Sequence, residues 1–186
     1  MKRLFDVVSS ALGLVLLSPF LLVIAILVRL ESPGPVIFRQ TRVGRDNRPF
    51  TIYKFRSMRV GTPNLATDQL TEPYRYITRI GRIMRVTSLD ELPQLWNIMI
   101  GDMSVVGPRP AIFSQELLVQ MRTDRGVHRF RPGLTGWAQV NGRDDISDAE
   151  KVELDAHYCN NWSLALDMHI LLRTVGVVST AKGVRA

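Results

Sequence analysis

Between Asp6 and Arg29 the chain runs 22 residues without a charge, VVSSALGLVLLSPFLLVIAILV. As one straight helix this run would measure roughly 33 Å, about the thickness of a bilayer's hydrocarbon core. Pro19 sits in its middle. A proline inside a helix removes one backbone donor and crowds the preceding turn, so the sequence predicts a kink or break there. The Ser18 hydroxyl beside it can bond a freed carbonyl, which matters where water is absent. Two half-helices meeting at Ser18-Pro19 could enter one leaflet and return.

The flanking charges bear on the same choice. Lys2 and Arg3 precede the run, and Arg29, Arg39, Arg42, Arg45 and Arg48 follow it. Positive residues favour the cytoplasmic side, so both flanks ask for the same side of the membrane. The residues alone leave a crossing and a re-entrant hairpin both open. A cleaved secretory signal fits poorly, because only Ser32-Pro33-Gly34 resembles a cleavage site and it lies among prolines.

The chain's 186 residues suffice for one domain with a core, and its formal net charge of +7 points to an anionic partner. The single cysteine, Cys159, excludes an internal disulfide. Beyond the apolar run, PVIFRQTRVG and PFTIYKFRSM read as strands joined by the polar turn RDNR, a hairpin over 35–58. It holds six Arg or Lys against one Asp, which makes it a candidate anion-binding surface. Residues 60–72 read as loop. EPYRYITRIGRIMR places Tyr76, Ile80, Ile83 and Met84 largely on one helical face among arginines, the pattern of a helix lying on anionic lipid or of an ordinary surface helix. Further helices are expected from Asp90 to about Met99, over 111–124, over 147–160 and over 163–180, the last capped by Ser163 and bearing an apolar face. GDMSVVGPRP reads as loop, and RPGLTGWAQVNGR as loop with one short strand. The expected fold is α+β, predominantly helical, with a small β-hairpin and interfacial amphipathic helices.

The chemistry concentrates in TSLDELPQLWNIMIGDMSVVGPRP. Asp90 and Glu91 are adjacent acids at a helix start. A Ser88–Glu91 capping box would explain them, but it would put Pro93 at an interior helical position. Asp90 as a simple N-cap avoids that conflict. Other features point to phosphate. A helix N-terminus attracts anions, and arginines and glycines follow in Gly107-Pro108-Arg109-Pro110 and Arg131-Pro132-Gly133. Carboxylates beside a phosphate site repel the ligand unless a cation intervenes, and Mg²⁺ is the natural one. The His and Cys residues lack metal-ligand spacing, which argues against zinc.

KRLFD, YKFRSM, TSLDELPQLWNIMIGDMSVVGPRP and RPGLTGWAQVNGR, in this order behind one hydrophobic segment, resemble the bacterial sugar transferase family, the small monotopic phosphoglycosyl transferases. The resemblance extends from Lys2 to about Thr174 and implies a re-entrant membrane helix over 1–30, broken at Ser18 and Pro19, and a catalytic domain over 31–186. It corresponds to the catalytic module; larger relatives carry further transmembrane helices and another domain before it. By resemblance the active site faces the cytoplasm at the bacterial inner membrane. The implied reaction moves a sugar-1-phosphate from a UDP-sugar to polyprenol phosphate in the same leaflet, releasing UMP and opening glycan assembly. Asp90 matches the family's nucleophile, which would form a phosphosugar–aspartyl intermediate. Glu91 would help hold Mg²⁺ or manage the acceptor's proton, with Asp90 the other candidate ligand. Lys54, Arg109 and Arg131 are the candidate phosphate contacts. Asp155 and Asp167 occupy family-like acidic positions, so the resemblance implies that one of them, Asp167 before Asp155, lies near the active site; a carboxylate at the positive end of its helix explains Asp167 nearly as well. The block is shared by transferases of glucose, galactose and N-acetylated amino sugars.

Three rivals account for less. A nucleic-acid-binding protein, which would show salt-sensitive binding, explains the charge but neither the apolar run nor the paired acids, so no nucleic acid is expected. A lipid-binding scaffold leaves Asp90-Glu91 and the glycine-rich loops unexplained. A Mg²⁺-dependent nucleotide-sugar hydrolase is the nearest enzymatic alternative and would need no lipid.

Overall fold

The computed structural model describes residues 1–63, 72–142 and 145–180. Of the loop expected over 60–72, residues 64–71 lie outside the described residues.

The apolar run forms one helix, α1 (Lys2–Glu31), with Pro19 inside it. The sequence predicts a kink or break at Pro19, and the resemblance implies a helix broken at Ser18 and Pro19; the helix instead continues through the proline. Pro19 cannot donate to the carbonyl four residues back, that of Val15, and the Ser18 hydroxyl donates to that carbonyl instead (2.7 Å). The local repair keeps the backbone satisfied without a break.

One face of α1 lies against the rest of the chain along its whole length. Arg3 donates to the carbonyls of Ile98 and Met99. Leu14 and Leu17 pack with Ile52, Leu95, Ile98 and Met103. Further along, Ile24 and Val28 join Phe55 and Met84 in a second cluster. At the far end the Glu31 carboxylate accepts from the amides of Arg79 and Ile80. The opposite face exposes Leu12, Val15, Leu16, Leu22, Val23 and Leu30. A continuous apolar stripe of this length marks a surface that water does not normally cover.

β1 (Ile37–Val43) and β2 (Pro49–Phe55) form the expected antiparallel hairpin, with Gln40 opposite Ile52. Asp46 and Asn47 in its turn take positive φ, which these two residue types tolerate. α2 (Arg79–Thr87) follows, capped by the Thr78 side chain on the amide of Gly81.

The helix expected from Asp90 is divided. Ser88 ends α2 in the left-handed conformation, Leu89–Glu91 form a single 3₁₀ turn, and α3 (Gln94–Ile100) begins after Pro93. Pro93 thus occupies the N-cap position, where its missing donor costs nothing. Neither expected cap forms: Ser88 makes no side-chain cap bond, and Asp90 lies within the 3₁₀ turn.

The segment read as loop after α3 contains β3 (Ser104–Val106), which pairs in parallel with β4 (Gly133–Thr135). Gly133 is required by this approach: a Cβ there would lie 2.1 Å from the Gly107 amide nitrogen. α4 (Glu116–Asp124) starts later than expected, because the carbonyl of Ala111 is drawn out to the amide of Val43. A short α5 (Trp137–Asn141) lies in the segment read as loop. α6 (Asp148–Asn160) carries a Ser147/Glu150 capping box, and α7 (Leu164–Thr180) is capped by Ser163 on the amide of Leu166. The described residues are therefore predominantly helical, with two small two-stranded sheets among them.

Candidate active site

Asp90 and Glu91 enter the site on the 3₁₀ turn between α2 and α3, and β2 runs beside that turn. Lys54, on β2, places its Nζ 2.7 Å from Glu91 Oε1. Arg109, on the loop after β3, reaches the same oxygen through Nη2 (2.9 Å) and Oε2 through Nη1 (3.4 Å). Glu91 is thus bracketed by two cations. All four residues line one cavity of about 700 Å³, together with Arg42, Arg85, Arg122 and Lys151. The apolar side of that cavity is formed by residues such as Leu134, Ala138 and Leu171.

The two acids differ sharply in environment. Asp90 is only 8% exposed. Burial pushes its carboxyl up to about 6, with the charge of Glu91 adding to the shift and Lys54, Arg85 and Arg109 opposing it. Burial acts on Glu91 in the same direction, but the nearby charges and hydrogen bonds of Arg109 and Lys54 outweigh it and hold that carboxyl well below the usual range. Glu91 is therefore a fixed anion, held chiefly through Oε1. Asp90 is ionised at neutral pH, more basic than an ordinary aspartate, and perturbed by burial and charge alone. An acid pair split in this way has one member suited to attack and one suited to organise charge. Arg42 is lowered to about 10, first by burial and then by Arg109, so the cations of the cavity repel one another and favour an anionic ligand.

Among the described residues no group of three or more His, Cys, Asp or Glu side chains is arranged to hold a metal. The acid pair fits Mg²⁺ only as part of a ternary complex. Asp90 offers uncommitted oxygens and Glu91 Oε2 has only the long contact to Arg109, while diphosphate oxygens would have to complete the shell and offset Lys54 and Arg109.

The remaining residues singled out from sequence lie elsewhere. Arg131 does not line the cavity; its Nε donates to the carbonyl of Gly101 (2.9 Å), beside the two carbonyls held by Arg3. It thereby helps cap the end of α3. Asp167 is fully buried, accepting from Lys2 Nζ (2.7 Å), Tyr158 Oη (2.7 Å) and Trp162 Nε1 (3.1 Å), and so ties the start of α1 to α6 and α7. Asp155 is buried against Arg122 (2.6 Å) and lies behind the cavity wall. Ser18 and Pro19 are on the far, apolar stretch of α1. Sequence reasoning missed Arg42, Arg85, Arg122 and Lys151 as individual cavity residues. The excess of cations on the hairpin signalled Arg42 in general terms, whereas Arg122 sits in an unremarkable helical stretch that gave no signal.

Comparison with known proteins shows the family. The family model described as bacterial sugar transferase matches residues 1–181. The chain is 45% identical over 182 residues to the UDP-glucose:undecaprenyl-phosphate glucose-1-phosphate transferase of Escherichia coli (strain K12), covering 94% of this chain and 39% of that protein. It is 43% identical over 188 residues to an uncharacterized sugar transferase of Bacillus subtilis (strain 168), covering 100% of this chain and 90% of that one. With the UDP-N-acetylgalactosamine-undecaprenyl-phosphate N-acetylgalactosaminephosphotransferase of Aeromonas hydrophila it shares 40% identity over 193 residues, which is 99% of this chain and 45% of the relative. The chain spans about two fifths of the length of the Escherichia coli protein, and nearly all of the Bacillus subtilis one. By the match over nearly its whole length, the chain belongs to the bacterial sugar transferase family.

Proposed function

We propose that this chain transfers a sugar-1-phosphate from a UDP-sugar to polyprenol phosphate, with undecaprenyl phosphate the acceptor named for its relatives. The observation that carries this reading is the split acid pair: Asp90 buried with its carboxyl raised, next to a Glu91 fixed between Lys54 and Arg109. Lys54 and Arg109 bind the diphosphate, and Glu91 holds both cations in place until it arrives. An Asp90 oxygen attacks the phosphorus that carries the sugar. The bond from that phosphorus to the oxygen bridging the two phosphates breaks, and UMP leaves with its electron pair. Polyprenol phosphate then attacks the phosphosugar–aspartyl phosphorus and Asp90 departs as carboxylate, leaving a polyprenol diphosphate-sugar. Two displacements replace one difficult transfer. Asp90 and Glu91 would hold Mg²⁺, which would supply neutralisation between the anionic reactants.

For the membrane, we propose that α1 (residues 1–30 as a unit) enters one leaflet and that residues 31–186 form the catalytic domain on the cytoplasmic face of the inner membrane. Three things support this. Both ends of α1 are fastened to the same domain, through Lys2–Asp167 and Glu31 to the start of α2. A helix packed lengthwise on its own chain is poorly suited to be ringed by lipid. Basic residues flank it on both sides.

The test is isotope exchange: purified protein with Mg²⁺, UDP-sugars and labelled UMP, without polyprenol phosphate. Label entering one UDP-sugar, and lost in Asp90→Asn, is the expected result. Transfer to added polyprenol phosphate without any exchange would replace the covalent route with direct transfer. Sugar phosphate released to water at the same rate without a lipid acceptor would favour a hydrolase.

A further inference from the structure

The loop that carries Arg109 is short of amides, because Pro108 and Pro110 flank that residue and neither has an N–H. Its carbonyls serve as the handles instead. Pro108 O accepts from the amide of Gly133 (2.8 Å), Arg109 O from Arg122 Nη1 (2.7 Å), Pro110 O from Arg42 Nη1 (3.2 Å) and Ala111 O from the amide of Val43 (2.9 Å). Four consecutive peptides are therefore fixed, two by backbone and two by guanidinium groups, of which that of Arg122 is buried and that of Arg42 half-buried.

Arg122 does more than hold one carbonyl. Its other terminal nitrogen, Nη2, donates to Asp155 Oδ2 on α6 (2.6 Å), and Asp155 is 1% exposed. Buried ion pairs are weak contributors to net stability compared with apolar packing of the same shape, so this pair invites a role beyond holding α4 to α6. A guanidinium fork spanning a carboxylate and a carbonyl transmits the position of one to the other. The carbonyl it holds is that of Arg109 itself, so the α4–α6 packing fixes where the Arg109 side chain departs from the backbone. That side chain is otherwise 45% exposed and attached at its tip to Glu91.

We propose that Arg122 and Asp155 are positioning residues for diphosphate binding: Asp155 orients Arg122, and Arg122 holds the Arg109 peptide so that its guanidinium meets the ligand preorganised. This rests on the reading that Arg109 binds the donor's diphosphate. Preorganisation raises affinity by lowering the ordering cost at binding. Lysine at 122 keeps the charge but offers one point donor, which cannot reproduce the two-armed bridge.

The experiment is a double-mutant cycle on the full chain in lipid nanodiscs, with UDP and Mg²⁺ titrated calorimetrically. UDP is common to all UDP-sugar donors, so the result does not depend on the sugar. Arg122→Lys is expected to weaken UDP binding about tenfold when Arg109 is present and less than about twofold in an Arg109→Ala background. Asp155→Asn, similar in shape, should repeat the pattern with smaller amplitude, and it decides the matter where Arg122→Lys does not fold. Equal losses in both backgrounds overturn the positioning role while leaving Arg109 as a ligand. UDP binding that is unaffected by Arg109→Ala overturns the Arg109 reading itself, and the positioning role with it.

Discussion

Asp90→Asn is expected to make the protein more stable at neutral pH while abolishing exchange. Burial raises the folded-state pKa from 3.8 to about 6, and each unit is worth about 1.36 kcal/mol, so ionising Asp90 in place costs roughly 3 kcal/mol. The sign follows from proton linkage. The folded state binds this proton more tightly than the unfolded chain does, so the contribution is most favourable below the unfolded pKa. It declines as pH rises between 3.8 and about 6, and above that the cost is constant. Asparagine has a similar shape and never ionises, so it escapes the cost. The difference in melting temperature, variant minus wild type, should be near zero at the acid end. It should reach roughly 6–12 °C above pH 7, taking about 2–4 °C per kcal/mol for a chain of this size. The assay is thermal melting in nanodiscs at one scan rate, with chelator and without nucleotide, because a bound cation would offset the cost in the wild type. Glu91→Gln is the control of opposite sign: its pKa is lowered by Arg109 and Lys54 against burial, so the glutamate stabilises above its unfolded pKa and the variant should melt lower at neutral pH. An Asp90→Asn variant that melts no higher than wild type at pH 8 would refute the account of a buried, strained carboxylate.

Two further outcomes follow from the same geometry. Single-turnover UMP release from a UDP-sugar should fall on the acid side as protonation removes the Asp90 nucleophile, with the midpoint below the metal-free value of about 6 because Mg²⁺ on Asp90 favours the carboxylate; the donor's diphosphate does not titrate in this range, so a profile without an acid limb down to pH 4 would remove the ionisation step from the mechanism. Ser18→Ala should destabilise the membrane-bound protein by about 1–2 kcal/mol, because the Val15 carbonyl loses its donor, and the effect should vanish in a Pro19→Ala background where the amide returns; an undiminished effect there would show that Ser18 acts on something other than that carbonyl.

Much of the fold was legible because its causes are local. The hairpin announced itself through β-rich runs around a polar turn, and α6 and α7 through Ser147 and Ser163 at their starts. Pro93 argued against a capping box at Ser88, and the structure bears this out by placing it at the N-cap of α3, although the 3₁₀ turn in front was not foreseen. Contacts between distant segments were not legible. Arg131, in a glycine-containing loop, read as a phosphate ligand, yet Gly133 is there for the close approach of β3 and β4, and Arg131 turns to the end of α3. Asp167 meets Lys2 from the opposite end of the chain, a pairing that no local pattern encodes. Lys54, Glu91 and Arg109 lie together as a phosphate site requires, but their neighbour Arg122 comes from a helix whose sequence carries no mark of it.

The course of α1 gives these distant contacts a common logic. Near its start, Asp6 is buried and accepts from Ser104 Oγ and the Val105 amide, which fixes β3; β3 leads directly into the loop bearing Arg109. At its end, Glu31 caps α2, and α2 leads through Ser88 into Asp90 and Glu91. The two halves of the site thus hang from the two ends of one apolar helix. If that helix rests in a leaflet, its depth sets the height of Asp90 and Arg109 together. In the proposed reaction the Asp90 carboxylate meets a nucleotide from water and a phosphate from lipid, which calls for such a common reference, and α1, at 30 residues, is long enough to provide it.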